Sequence, residues 1–277
     1  MTDMIAGKYR ALRSLLQFMF RLKNWRVVWA AYRASAPMPS FDIRRSNLRL
    51  FSDPESDDVV ILWREIFCEE SYTRDFYNPR TGDTVIDLGA NIGTFALFLE
   101  HIAPGIRVHC FEPAADTRAR LAKNIEANHL DGFVSIYPFA IGGAPGILQL
   151  AAARIAAQRS VHASHFTLPP DSAKPEEVEC ITLTDVMRLT NASRVDLLKI
   201  DIEGAEVDVL ESVAPEVLKP VKRIALEYHD EILPESRVRC ENALRRLGFD
   251  NIILPAARPP FPILGLLRAS RRDISST

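Results

Sequence analysis

From Thr84 to Leu254 short apolar runs alternate with amphipathic segments, and this alternation constrains the fold more than any other feature. The runs are Thr84–Leu88, Arg107–Phe111, Val134–Tyr137, Val195–Ile200 ("VDLLKI"), Arg223–Tyr228 ("RIALEY") and Asn251–Leu254. Between them Thr94–His101, Ala114–Asn128, Ala205–Val213 and Ser236–Leu247 read as helices; Leu121 and Ile125, for example, share one face. Repeated strand–helix units of this length predict a parallel sheet covered on both faces. Such sheets bind ligands beyond the carboxyl ends of their strands, where strand order reverses.

The first of these units carries "VIDLGANIGTF" (Val85–Phe95). Asp87 ends the apolar run, and Gly89 and Gly93 follow where strand turns into helix. A dinucleotide fingerprint would read G-x-G-x-x-G. This loop lacks that spacing, so it suits close backbone approach without a pyrophosphate. The second strand ends in "VHCFEP" (Val108–Pro113), which places Glu112 about 20 residues beyond the loop. An acid at that strand tip can accept hydrogen bonds from two ribose hydroxyls. Together the two features point to an adenosyl ligand.

"VIDLGANIGTFAL", "VHCFEP", "FAIGG" (Phe139–Gly143) and "LLKIDIEGAEVDVLES" (Leu197–Ser212) resemble the FkbM-type methyltransferases, a branch of the class I group that uses S-adenosylmethionine. The resemblance runs from about Asp83 to Asp230, and "KIDIEGAE" is its most specific piece. It implies an α/β, Rossmann-like class I fold: a seven-stranded, mostly parallel sheet, helices on both faces, and one antiparallel strand near the end. It also implies O-methylation of a hydroxyl. Carried onto this sequence, the loop of Gly89, Ala90, Asn91 and Gly93 would face the methionine and ribose part of S-adenosyl-L-methionine. Glu112 would hold the ribose, and Phe139 and Ala140 would border the adenine. Asp87 or Asn91 would bind the amino-acid end, or Asp87 would simply orient the loop.

Methyl transfer from a sulfonium is an in-line displacement, and the cofactor brings the activation. The protein must align a hydroxyl oxygen and help it lose its proton. Strand alternation puts Lys199 and Asp201 on one face, with Asp201 at the carboxyl end and Glu203 in the turn that follows. Asp201 is the first candidate for base or substrate anchor. A neighbouring Lys199 ammonium would lower its pKa, so the pair could position the acceptor instead of deprotonating it, or merely close the strand end. Glu227 and His229 reach the edge of the next strand, and His229 is a second base candidate. His162 and His165 lie in a loop that could touch substrate. Asp201, Glu203 and Glu227 resemble oxygen ligands for magnesium or calcium, but spacing does not show them converging, and no metal is assigned.

The rest of the chain is less explicit. The net charge of −2 asks for no nucleic-acid partner. Cys68, Cys110, Cys180 and Cys240 have no metal-ligand spacing and read as free thiols of a reducing cytosol. No secretory signal or membrane span is evident. Residues 1–50 read as a basic extension and linker. Within them, 4–34 form an amphipathic helix that packs on the main domain, covers a substrate, or lies on an anionic surface at the inner face of a membrane. Residues 51–255 read as the methyltransferase domain, with a lid-like insertion at about 151–177. Residues 256–277 read as a Pro-rich, basic tail.

The expectation is thus an O-methyltransferase acting on a hydroxyl of a sugar, glycolipid or secondary metabolite. Its alternatives are an N-directed or metal-assisted, catechol-like methyltransferase, and a non-catalytic adenosyl-binding or membrane-associated scaffold.

Overall fold

The computed structural model describes residues 2–52, 58–150, 175–230, 232–255 and 264–272. A seven-stranded sheet runs through its centre in the order β5–β4–β3–β9–β10–β12–β11. These strands are β3 (Thr84–Leu88), β4 (Arg107–Phe111), β5 (Val134–Tyr137), β9 (Leu197–Ile200), β10 (Arg223–His229), β11 (Asn251–Ile253) and β12 (Leu264–Ser270). The runs β3–β4, β4–β5, β3–β9 and β9–β10 are parallel, while β12 is antiparallel to both of its neighbours. From β3 the chain works outward through β4 and β5, then returns to place β9 on the other side of β3. That reversal opens a crevice at the carboxyl ends of β3 and β9.

Helices cover both faces. Leu88, Phe111, Ile200, Val207 and Leu226 belong to one core. Val85, Leu97, Val108, Leu121 and Leu197 belong to the other. Along β3, Val85 and Ile86 fall in different cores, as the period of two requires. The covering helices are α4 (Thr94–Ile102), α5 (Ala115–Ala127), α6 (Leu183–Thr190), α7 (Glu206–Ser212) and α8 (Ser236–Arg246). A smaller sheet of β6 (Ala140–Ile141), β8 (Glu176–Ile181) and β7 (Gly146–Leu150) leans on the carboxyl edge.

Two expectations need correction. The tail is not separate from the domain: β12 sits between β10 and β11, and it supplies the antiparallel strand of the main sheet. The N-terminal segment is not one helix but two, α1 (Thr2–Arg21) and α2 (Trp25–Ala34). They pack on the domain, one of the alternatives expected of them: Phe18, Leu22 and Val28 are fully buried in the core that holds Trp63 and Phe98. α3 (Asp58–Trp63) is followed by a π-helical turn, Arg64–Glu69. β1 (Phe41–Asp42) and β2 (Arg49–Leu50) form a short antiparallel pair before it. The lid expected at about 151–177, with His162 and His165, lies outside the described residues through residue 174. Its last residues open β8. No described helix is long and apolar enough to cross a membrane.

Candidate active site

Gly89 and Gly93 hold the loop after β3 in left-handed backbone, at φ 79° and 84°. The structure gives each a definite reason. A Cβ on Gly89 would stand 1.8 Å from the backbone oxygen of Asp201, and one on Gly93 would stand 2.5 Å from Leu121 Cδ1. The exclusion of side chains thus lets β3 close against the end of β9 and α4 close against α5. The amides of Gly89 and Ala90 both donate to the Phe111 carbonyl, which ties the loop to the end of β4.

Beneath the loop lies a buried ion cluster. Asp87 is fully buried, and Lys199 is nearly so. Lys199 Nζ reaches Asp87 Oδ1 at 2.9 Å and Asp201 Oδ2 at 3.3 Å, and it donates to the Gly89 carbonyl at 3.0 Å. Burial pushes the Asp87 carboxyl above its ordinary range, and the Lys199 ammonium offsets only part of that. Lys199 is itself held firmly protonated: Asp87 and Asp201 outweigh the burial that would strip its proton. Neither Asp87 nor Lys199 lines the cleft above. Lys199 is thus an ion-pair partner beneath the loop. Asp87 and Lys199 fix the loop from below, which was the alternative for Asp87.

The cleft has about 640 Å³ of empty space open to solvent. Gly89, Asn91, Glu112, Phe139 and Ala140 line one part of it, and Asp201, Ile202 and Glu203 line another. Phe111, Ala114, Thr117, Ile141 and Leu150 complete the wall, and the Phe111 and Tyr137 rings stack at 4.5 Å. Of the expected loop residues, Ala90 and Gly93 turn inward and do not line the cleft. Glu112 is 8% exposed and accepts hydrogen bonds from the Asn91 and Ala114 amides, each at 3.0 Å. Burial nevertheless raises its pKa to about 7.

Across the cleft Asp201 meets two groups that the sequence did not suggest. Tyr72, from the turn after the π-helical segment, places its hydroxyl 3.0 Å from Asp201 Oδ2 and 3.3 Å from Glu227 Oε2. Burial, then Asp201 and Glu65, push Glu227 well above the ordinary carboxylic range. One phenolic proton serves only one acceptor. Tyr72 therefore donates to the nearer Asp201 carboxylate, with Glu227 as its alternative acceptor. Glu65, from the π-helical turn, is raised to about 7, chiefly by burial and then by Asp201. Burial would raise Asp201 as well, but Lys199, His229 and the Tyr72 hydroxyl outweigh it and hold Asp201 below the usual carboxylate value.

His229 does not meet the requirement for a base. It is buried, 3.2 Å from Glu206 Oε1 and 3.5 Å from Glu203 Oε2. Burial would lower its pKa, but Glu206, Glu203 and Asp201 raise it to about 10, so the ring is a cation at neutral pH. Glu206 Oε1 also accepts from the Ile202 and Gly204 amides. The second half of "KIDIEGAE" thus folds over its own buried carboxylate, and His229 locks that turn to β10. Donor atoms of Asp201, Glu203 and His229 all lie within 4.8 Å of one another, a grouping able to hold a metal ion. Glu227, expected with them, is not part of that grouping.

The family model described as the methyltransferase FkbM domain matches residues 87–250. The chain belongs to the FkbM methyltransferase family. It is 30% identical to 31-O-demethyl-FK506 methyltransferase FkbM of Streptomyces tacrolimicus, over 68% of this chain and 81% of that one. It is 27% identical to methyltransferase sdnD of Sordaria araneosa, over 70% and 83% of the two chains. The crystal structure of methyltransferase FkbM from Methylobacillus flagellatus KT superposes with a TM-score of 0.50 at 14% identity, over 95% of this chain and 60% of that one. That likeness shows the class I fold. Membership makes the chain a methyltransferase, and the family and its fold imply S-adenosylmethionine as the methyl source in general terms.

Proposed function

We propose that this FkbM-family enzyme binds S-adenosylmethionine in the cleft and methylates a hydroxyl of a small-molecule or glycan acceptor presented at Asp201. One observation carries the reading: the same cleft is lined by Glu112 and the Gly89–Asn91 turn and by Asp201 and Glu203. A nucleoside site and a carboxylate pair thereby share one space. The residues fit the cofactor, since the loop is apposed to Glu112 and an apolar wall of Phe139, Ala140 and Ile141 stands beside it.

When bound, S-adenosylmethionine supplies an activated methyl group and a neutral sulfide as leaving group. The Glu112 carboxylate accepts from the ribose hydroxyls with the lone pairs left over from its two amide contacts. The loop, held down by Lys199, keeps its shape without substrate. Asp201 accepts the hydrogen bond of the acceptor hydroxyl and fixes its oxygen in line. With its depressed pKa Asp201 is a better anchor than base. The proton leaving the hydroxyl is taken up by Asp201 and passed through the Tyr72 hydroxyl, which turns its own proton to Glu65, the carboxylate poised near neutrality to keep it. His229, already protonated, holds Glu203 and the turn in place.

The test is calorimetric titration with S-adenosylmethionine, followed by labelled methyl transfer into a cell extract and identification of the product. Binding plus an O-methylated product supports the reading. An N-methylated product, or a magnesium requirement, moves it to the other methyltransferase classes. Absence of cofactor binding by the folded protein rejects it.

A further inference from the structure

The outward face of the N-terminal helices has no part in the reaction above. α1 buries Ser14 and Phe18 against the core, and Leu22, just past its end, is buried with them. Leu12, Leu16 and Phe20 recur at four-residue spacing on its other side and stay exposed, Phe20 to 73%. Each step of four advances about 40° around a helix, so the three side chains form one narrow ridge facing away from the core. α2 repeats the arrangement: Val28 is buried, while Arg26, Val27 and Arg33 face solvent. The segment's charge has one sign. Lys8, Arg10, Arg13, Arg21, Lys23, Arg26 and Arg33 stand against the single acid Asp3. Arg13 and Arg21 are tied to Glu69 and Glu70, whereas Lys23, in the turn after α1, and Arg26 and Arg33, on α2, are exposed.

We propose that this face docks on an anionic lipid surface. Leu12, Leu16 and Phe20 enter the boundary between headgroups and acyl chains, and Lys23, Arg26 and Arg33 meet the acidic headgroups. Charge complementarity selects this occupant. A second copy packed by two-fold symmetry would bring the same cations face to face. A convex ridge also suits a fluid layer, which needs no preformed groove. The inner face of α1 touches the acceptor side of the enzyme: Arg64 donates to Ser14 Oγ at 2.9 Å and to Gln17 Oε1 at 3.2 Å, and the next residue is Glu65.

The experiment is co-sedimentation of the full chain with vesicles of phosphatidylcholine containing about 30% phosphatidylglycerol, against phosphatidylcholine alone. The wild type is expected to sediment with the anionic vesicles and to be released at about 0.5 M salt. Leu16→Glu/Phe20→Glu and Lys23→Glu/Arg26→Glu should each lower the partition coefficient at least ~10-fold. These positions are exposed and remote from the cleft, so calorimetric affinity for S-adenosylhomocysteine serves as the folding control. If the wild type stays in the supernatant at low salt, or the ridge variant partitions like the wild type, the proposal fails. It fails equally if the ridge variant breaks a concentration-dependent dimer while no vesicle binding exists, which would assign the face to a second copy.

Discussion

Replacing Lys199 with methionine tests whether the buried cluster, not the glycines alone, shapes the cofactor loop. At an effective dielectric of ~20, charges at the 2.9 and 3.3 Å separations of Lys199 from Asp87 and Asp201 attract by roughly 5 kcal/mol each. Desolvation of all three groups and repulsion between the carboxylates cancel much of this. What remains decisive is that Asp87 is fully buried, so removing its cation strands a charge. Breaking a buried pair in this way costs about 3–5 kcal/mol. The Gly89 carbonyl also loses its donor.

Urea denaturation should show the deficit, and Lys199→Met/Asp87→Asn should recover most of it, because no unpaired charge is then left. The acid dependence has a definite sign. A stranded Asp87 has a folded pKa above its unfolded one, so it destabilises increasingly as pH rises above the unfolded value. The deficit of the single variant should therefore shrink towards about pH 4. Additive losses in the double variant, or a deficit below about 1 kcal/mol, would refute a strained ion cluster as the basis of the loop.

Four further outcomes are expected. Glu112 is raised to about 7 by burial and must be ionised to accept from ribose; affinity for S-adenosylmethionine should hold above pH 8 and fall about tenfold per unit well below 7, as calorimetry would show. Glu112→Ala should weaken that binding by about 1–3 kcal/mol, and an unchanged Kd in a folded variant would remove Glu112 from the site. Once an acceptor is known, kcat should climb through about pH 7 as Glu65 ionises, and Glu65→Gln should flatten that limb and lower kcat by about 10²–10⁴, while Asp201→Asn lowers turnover and spares cofactor binding. The His229 pKa, raised from 6.5 to about 10, means its ion pairs stabilise the fold fully below 6.5 and fade as pH climbs through 10; His229→Gln should lack that alkaline decline in thermal melts.

The parallel strands were legible because each is an apolar run bounded by turn residues, and the periodicity alone gave β3, β4 and β5 their bounds. β12 was not, because "ILGLLRAS" follows a proline-rich stretch and precedes arginines, which reads locally as a tail. Only pairing with β10 along seven registers makes it a central strand. The need for side-chain-free backbone at Gly89 and Gly93 was legible, but the bodies that approach them in the structure are the Asp201 carbonyl and Leu121. Asp201 and Glu203 were legible as the end of one strand. Tyr72 lies 129 residues from Asp201 in sequence, and no local pattern joins the two. The same holds for Glu65, whose segment looks like an ordinary amphipathic helix until the π-helical turn re-aims it.

These missed residues divide the molecule in a way that bears on specificity. Glu112, Asp201 and the loop lie inside the span matched by the family model, residues 87–250, whereas Glu65 and Tyr72 precede it. Arg268, which follows it on β12, donates to the backbone carbonyls of Ser71 and Arg74 on either side of Tyr72. The Tyr72 turn is therefore suspended between an N-terminal segment and the last strand, with its hydroxyl aimed at Asp201. A chain of this kind can keep one methyl-donor cleft and change its acceptor by altering the flanks. Grafting a relative's flanks onto residues 87–250 should then change which hydroxyl is methylated while leaving cofactor affinity where it was. Acceptor choice that instead followed the central span would place specificity in Glu203 and the neighbouring turn.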